Sequence, residues 1–381
     1  MQTFYLPTQV ITGLGCFAQL GKAAVRYGQR ALLVCDKRLA QQTDVVQRAS
    51  ALLSAEEVTL TVYDDVAREP ELPIVAEGIR RANDADAQVV IGIGGGSAMD
   101  TAKAIAGLCL LPGSLLEYHE GRKLEGPGIP LITVPTTAGT GAEVTKNAVL
   151  INPETRVKRS IRDDRWFARV ALVDAEMTLS MPPAVTASTG SDALCQAIES
   201  YTSIGAGPLS DALAMRAMSL IGGSLQTAYE RGDDLGAREA MSMGSLMAGM
   251  AMAMARVGGV HGMAHPLGSH YAIPHGVICG LLLPYTMGYS LPAATAKYAD
   301  VARLLGVDTA GLTMEQAAGR AVEAVRNLVT CIGVPMHLRA FGVTEDALGP
   351  IIDESLTQSS LHHNPRKLGA EDVRAILLAA L

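Results

Sequence analysis

No two of the six cysteines, Cys16, Cys35, Cys109, Cys195, Cys279 and Cys331, stand in a C-x-x-C pair, which excludes half of a finger-type zinc site and a redox dithiol. They read as small core residues in a reducing compartment. Long basic runs are also missing, and 31 Lys and Arg against 38 Asp and Glu give a formal charge of −7. That balance does not neutralise phosphates, so no nucleic-acid partner is expected. The first residues, Met-Gln-Thr-Phe-Tyr-Leu-Pro, lack both the basic and the apolar region of a secretion signal. The longest apolar stretch, Ala240 to Ala255, contains serines and glycines and falls short of the roughly 20 residues that span a bilayer. A cytoplasmic protein with no membrane partner is expected, with that stretch as a buried helix.

What is present is apolar and long: 381 residues, 49% hydrophobic and 18% charged, enough for about two domains with substantial cores. The first half alternates short β-rich runs with amphipathic segments. Ala31–Cys35, Thr59–Tyr63, Gln88–Ile93 and Pro130–Val134 have the character of buried parallel strands. Between them, Leu72, Val75, Ala76 and Ile79 recur at the spacing of one helix face. Strands alternating with helices predict a doubly wound α/β domain with its ligand at the carboxyl ends of the strands. After about Thr178 the chain turns to Ala-, Met- and Leu-rich helical stretches, and Pro182 and Pro183 suit a boundary there. The expected division is an α/β domain over 1–178 and an all-α domain over 179–381.

Two segments carry chemistry. Ile91-Gly-Ile-Gly-Gly-Gly-Ser-Ala-Met-Asp100 runs from a strand into a helix, so successive glycines bring backbone amides and a helix N-terminus to one place. That suits a diphosphate, although the spacing matches neither G-x-G-x-x-G nor the P-loop, and a tight structural turn is the competing reading. Asp36, at the end of the first α/β strand, stands where such folds hold a ribose. A carboxylate there accepts from the 2′-hydroxyl of NAD and repels the 2′-phosphate of NADP.

The second segment holds His261, His265, His270 and His275, half of the eight histidines. His261 and His265 share a helix face at i, i+4, while Pro266 and Pro274 punctuate the chain so that His275 turns back towards them. Gathered imidazoles suit zinc or ferrous iron. Charge compensation is available from Asp192 with Gln196 at i+4 in Ser188-Thr-Gly-Ser-Asp-Ala-Leu-Cys-Gln-Ala-Ile-Glu-Ser-Tyr201, where Glu199 follows at i+7. By itself Asp192 reads equally well as a helix cap.

Together with Pro135-Thr-Thr-Ala-Gly-Thr-Gly-Ala-Glu-Val-Thr145 and Asn364-Pro-Arg366, these segments resemble the iron-containing (group III) alcohol dehydrogenases, of the dehydroquinate synthase-like superfamily, over nearly the whole chain. The resemblance implies an α/β N-terminal dinucleotide-binding domain and an all-α C-terminal domain. It implies NAD(H) on Gly95, Gly96 and Ser97 with Asp100 nearby, and Thr136, Thr137, Thr140 and Lys158 along the nicotinamide and ribose. A divalent metal, Fe2+ first and Zn2+ second, falls to Asp192, Gln196, His261 and His275. His265 becomes the catalytic histidine near nicotinamide and substrate, and Asn147 and Met252 line the substrate pocket. A homodimer or higher homo-oligomer is also implied.

One departure stands out: the family's metal motif usually carries His where this chain has Gln196. Either the amide ligates, or three protein ligands remain with an open position, or the metal is lost. The implied reaction is NAD(H)-linked oxidation of short-chain alcohols or diols, or reduction of substituted aldehydes, with a metal polarising the substrate oxygen. Aromatics are only 4% of the chain, and a Met-rich wall admits many short aliphatic substrates. Arg256 near the metal segment reads first as a solvated helix-end residue and second as a partner for an anionic head group. The alternatives are a metal-free, catalytically inactive binding protein on the same fold and a dehydroquinate-synthase-like lyase. The lyase needs many basic residues around its substrate, and the metal segment has few.

Overall fold

The computed structural model describes residues 3–66 and 69–381. Contacts divide the chain into two compact units, one formed by Tyr5–Thr137 with Ala142–Ser180 and the other by Met181–Leu381 with Ala138–Gly141. Two short segments, Thr3–Phe4 and Ala138–Gly141, cluster with the helices, and the contact boundary falls at Met181.

The first unit is built on a six-stranded sheet in the order β1-β8-β5-β4-β2-β3, parallel throughout. Its strands are β1 (Gln9–Thr12), β2 (Arg30–Asp36), β3 (Thr59–Val66), β4 (Val89–Gly94), β5 (Leu131–Pro135) and β8 (Val170–Val173). Both faces are covered. Ala31, Leu33 and Cys35 enter one core while Leu32 and Val34 enter the other, as the two-residue period of a strand requires. Among the covering helices are α1 (Lys37–Gln42), α2 (Leu72–Asp84) and α3 (Gly96–Leu108). The four strands expected from sequence are present, and the helix at Leu72 runs on to Asp84. The short strands β1 and β8 and the antiparallel hairpin β6 (Asn147–Ile151) and β7 (Lys158–Arg162) carried too few residues to register as patterns. Strand order reverses between β2 and β4, which places the ligand crevice of such a sheet at their carboxyl ends.

The second unit is helical among the described residues. It includes α4 (Pro183–Thr202), α5 (Pro208–Glu230), α6 (Leu235–Ala255), α7 (Gly259–Tyr271), α8 (His275–Ser290) and α9 (Met314–Cys331). Pro183 opens α4 at the position where a missing N–H costs nothing. The expected buried helix is α6. One stretch, His275–Ala293, has the length and apolar composition to cross a membrane, yet 61% of its apolar window is buried within the protein. It packs against α4 and α9, and a helix enclosed by others becomes apolar all round. Core placement holds for Cys35, Cys109, Cys195 and Cys279, whereas Cys331 is exposed and Cys16 half-buried.

Candidate metal centre

Asp192, Gln196 and Glu199 lie mid-way along α4 at i, i+4 and i+7, so one helix face presents all three, and all three are buried. The helix begins at Pro183, which removes the cap reading of Asp192. His261 and His265 share a face of α7, and Pro266 sits inside that helix without ending it. The chain turns instead at Ala272, in the left-handed region with φ 52°, and Pro274 then caps α8, whose first residue is His275. Gly276 permits the approach of α8 to α4, since a Cβ there would lie 1.9 Å from the Ser188 carbonyl oxygen. The start of α7 is clasped by Asn364, whose Oδ1 accepts from Gly259 N at 3.2 Å while Nδ2 donates to Ser290 Oγ at 2.9 Å.

These helices converge on one small volume. Asp192 Oδ1 lies 3.4 Å from His261 Nε2 and 3.8 Å from His275 Nε2, and Cys279 Sγ lies 3.6 Å from His275 Nε2. Donor atoms of Asp192, His261, His275 and Cys279 all fall within 4.8 Å of one another. Behind His261, Glu199 Oε2 meets Nδ1 at 2.6 Å and Oε1 accepts from Val260 N at 2.6 Å. A carboxylate partner makes Nδ1 the protonated nitrogen and leaves the Nε2 lone pair facing Asp192.

Asp192 Oδ1, Gln196 Oε1 and His261 Nε2 are buried and make no hydrogen bond among the described residues. All three are acceptors in that tautomer, and leaving each unsatisfied costs about 1–3 kcal/mol. A cation satisfies them together, so the residues fit a divalent metal. The electrostatics describe a cluster that attracts positive charge, a proton included. Burial opposes ionisation of Asp192, but His261, His275 and the Gln196 amide hold its carboxyl below the usual range. Burial likewise favours neutral His261, yet Cys279, Asp192 and Glu199 outweigh it and raise its pKa well above ordinary. Desolvation works against the Cys279 thiolate, but Cys195 and the two histidines bring the thiol down to about 6.

His265 stacks on His275 with ring centroids 5.3 Å apart. His270 stands outside the cluster, its Nε2 2.7 Å from Glu354 Oε1 on an exposed surface. Met252 is half-buried on α6, and Arg256, which ends that helix, is exposed.

The dinucleotide candidates other than Thr140 lie in the first unit. Gly94 ends β4 at φ 151°, a conformation closed to other residues, and a Cβ there would lie 2.6 Å from that of Ala98. Gly95 precedes α3, whose first-turn amides, including those of Gly96 and Ser97, face the loop. Thr136 N donates to Gly94 O at 2.9 Å, and a Cβ on Gly95 would lie 3.2 Å from Thr137. Asp36 ends β2, the neighbour of β4, and caps α1 by accepting from Leu39 N at 2.9 Å, a bond that uses one carboxylate oxygen. Asp100 braces the hairpin, accepting from Val149 N at 2.9 Å and facing Lys103 Nζ at 3.4 Å. The Asn147 carbonyl also receives Lys103, and Lys158 pairs with Glu69 at 2.8 Å. Thr140 belongs with the helical unit.

Three residues escaped assignment from sequence: Glu199, Cys279 and Lys103. The first two carried a signal, since Glu199 is i+7 from Asp192 and Cys279 is i+4 from His275. Lys103 is two helical turns into α3 and carried none.

A family model described as iron-containing alcohol dehydrogenase matches residues 7–175, and one described as the C-terminal part of the Fe-containing alcohol dehydrogenase family matches 186–381. The chain is 39% identical to the lactaldehyde reductase of Escherichia coli (strain K12), with 95% of this chain and 94% of that protein covered. A solved 1,3-propanediol oxidoreductase superposes with a TM-score of 0.97 at 36% identity, all of both chains covered. The sulfoacetaldehyde reductase from Bifidobacterium kashiwanohense, solved in complex with NAD+, gives a TM-score of 0.91 at 30% identity over 100% of this chain and 98% of that one.

Proposed function

Because the chain belongs to the iron-containing alcohol dehydrogenase family, we propose that it is a metal-dependent, NAD(H)-linked alcohol dehydrogenase and aldehyde reductase acting on short-chain alcohols, diols or substituted aldehydes. The observation that carries this reading is the trio of buried, unpartnered acceptors on Asp192, Gln196 and His261, which a scaffold with no guest has no reason to keep. The same observation weighs against the metal-free binding protein.

Asp192, His261 and His275 are the residues that would hold the metal, with Fe2+ first and Zn2+ second. When bound, the divalent ion supplies Lewis acidity to the substrate oxygen and the dinucleotide exchanges hydride with the substrate carbon. Glu199 keeps the His261 ring in one orientation and tautomer, and Asp192 supplies the compensating charge. His265, held against His275, has an imidazole suited to passing the alcohol proton towards water. Asn147 and Met252 shape the substrate site. The amides of Gly95, Gly96 and Ser97 receive the diphosphate, helped by the α3 N-terminus, while Thr136, Thr137, Thr140 and Lys158 flank ribose and nicotinamide. Residues 1–178 serve the cofactor and 179–381 the metal; six free cysteines suit a cytoplasmic protein, and a homodimer or higher homo-oligomer is the assembly the family resemblance implies.

The test is NADH oxidation followed with a panel of short aldehydes, including lactaldehyde and 3-hydroxypropionaldehyde, before and after metal removal. Turnover that disappears with the metal and returns on its readdition supports the proposal, whereas full activity in metal-free protein refutes it. Asp36 adds a preference for NAD(H), which Asp36→Gly relaxes by removing like-charge repulsion with the 2′-phosphate. A wild-type kcat/KM with NADPH equal to that with NADH would sink this assignment.

A further inference from the structure

We infer that Cys279 is a protein donor to the metal, a thiolate that joins Asp192, His261 and His275. The inference rests on the metal-dependent reading above and concerns which atoms hold the ion.

Four atoms bound about 2.0–2.3 Å from one tetrahedral centre lie roughly 3.3–3.8 Å from one another, since the edge of a tetrahedron is about 1.6 times its radius. The measured separations are 3.4 Å for Asp192 to His261, 3.8 Å for Asp192 to His275 and 3.6 Å for His275 to Cys279. These three edges match such a centre, and the remaining three separations among the four atoms are all within 4.8 Å. Cys279 is buried one turn after His275 on α8, and this i, i+4 relation aims both donors from one helix face. Two of its companion donor atoms, Asp192 Oδ1 and His261 Nε2, are buried without hydrogen-bond partners, which points to a ligand here and not merely to a packed thiol. Thiolate is a stronger and softer donor to zinc or ferrous iron than a neutral amide oxygen.

The experiment uses the full chain stripped of metal and reloaded with one equivalent of Co2+. The expected result is an intense sulfur-to-cobalt charge-transfer band in the near ultraviolet, retained by Cys195→Ser and Gln196→Ala and abolished by Cys279→Ser. X-ray absorption on wild-type zinc-loaded protein should show one sulfur at about 2.3 Å, a measurement independent of how the variants fold. Cys279→Ser should also weaken Zn2+ at least tenfold in chelator competition, while Gln196→Ala changes it by less. Bound Co2+ with no sulfur band, or a zinc shell of nitrogen and oxygen only, overturns this inference alone. Loss of the band in Cys195→Ser but not in Cys279→Ser also overturns it. If wild type binds no Co2+, the metal-dependent reading falls with it.

Discussion

Lys103 in the first unit and Asp192 in the second are both buried charges, but only one is enclosed by its own partners. Lys103 is fully buried in α3 and spends its three N–H bonds on Asp100 Oδ1 at 3.4 Å, Thr145 Oγ1 at 3.0 Å and the Asn147 carbonyl at 2.9 Å. Nearby Glu143 is pushed up to about 7 by burial, against the opposing pull of Lys103 and a backbone N–H. Around Asp192 the inventory is reversed: acceptors crowd together and several have nothing to accept from. Buried charge alone therefore says little about function. What separates a brace from a binding site is whether the polar groups use each other up.

The sharpest way to break that contrast is to remove a donor from the unsatisfied cluster. His275→Ala should abolish metal retention and lower kcat/KM by about a thousandfold or more, the several kcal/mol that Lewis-acid assistance supplies. His270→Ala, altering the exposed pair with Glu354, should leave both intact. Metal analysis with steady-state kinetics decides it, and a His275→Ala enzyme that keeps its metal would remove the site.

Breaking the self-contained cluster should instead cost stability. Lys103→Met leaves half-buried Asp100 without its cation and the Thr145 and Asn147 oxygens without their donor, and should destabilise the fold by about 2–4 kcal/mol in urea titration, with metal per folded chain unchanged. A loss below about 1 kcal/mol would mean that the network is not the brace described here.

Glu199 joins the two behaviours, since it is fully used by the protein and acts on the metal through His261. In Glu199→Gln one carboxylate oxygen becomes an NH2, which cannot accept from both Val260 N and His261 Nδ1. Metal affinity should fall roughly 10–100-fold while the helices persist, as chelator competition and circular dichroism would read. Equal affinity in the variant would show that the ring is held without its carboxylate.

The smallest effect is a pH dependence. The folded pKa of Glu143, about 7, exceeds its ordinary 4.5, so its favourable share of stability is complete below about pH 4.5 and lost as pH rises through 7. Glu143→Gln should match wild type near pH 4 and exceed it by about 1–2 kcal/mol above pH 7, a gain reduced by the charge it withdraws from Lys103. A stability difference that does not change with pH would contradict this.

Much of the architecture was readable before any coordinates. Strands such as Ala31–Cys35 were legible because both faces of a parallel sheet are buried and apolar residues run continuously. The loop at Gly94–Gly96 was legible from its run of glycines, of which Gly94 is required by its positive φ and its approach to Ala98. The metal cluster was half legible: His261, His275 and Asp192 carried type and spacing. Glu199 and Cys279 sat at equally telling offsets but looked like ordinary members of apolar helices. Asp100 reads as a cofactor neighbour from its motif, whereas its carboxylate is taken up by Val149 and Lys103.

Composition and periodicity determined by themselves that the chain makes a doubly wound sheet followed by helices, because local burial patterns reflect strand and helix geometry directly. They also determined which donor types were available, and which of them shared a face of α4, α7 or α8. Only the tertiary structure decided which faces meet. That choice depends on backbone approaches such as Gly276 against Ser188 and on the Asn364 clasp at the start of α7, contacts between residues far apart in sequence. Helical spacing fixes a direction in space but not what lies along it, and so Cys279 falls among the candidate metal donors while His270, five residues before His275, turns to Glu354.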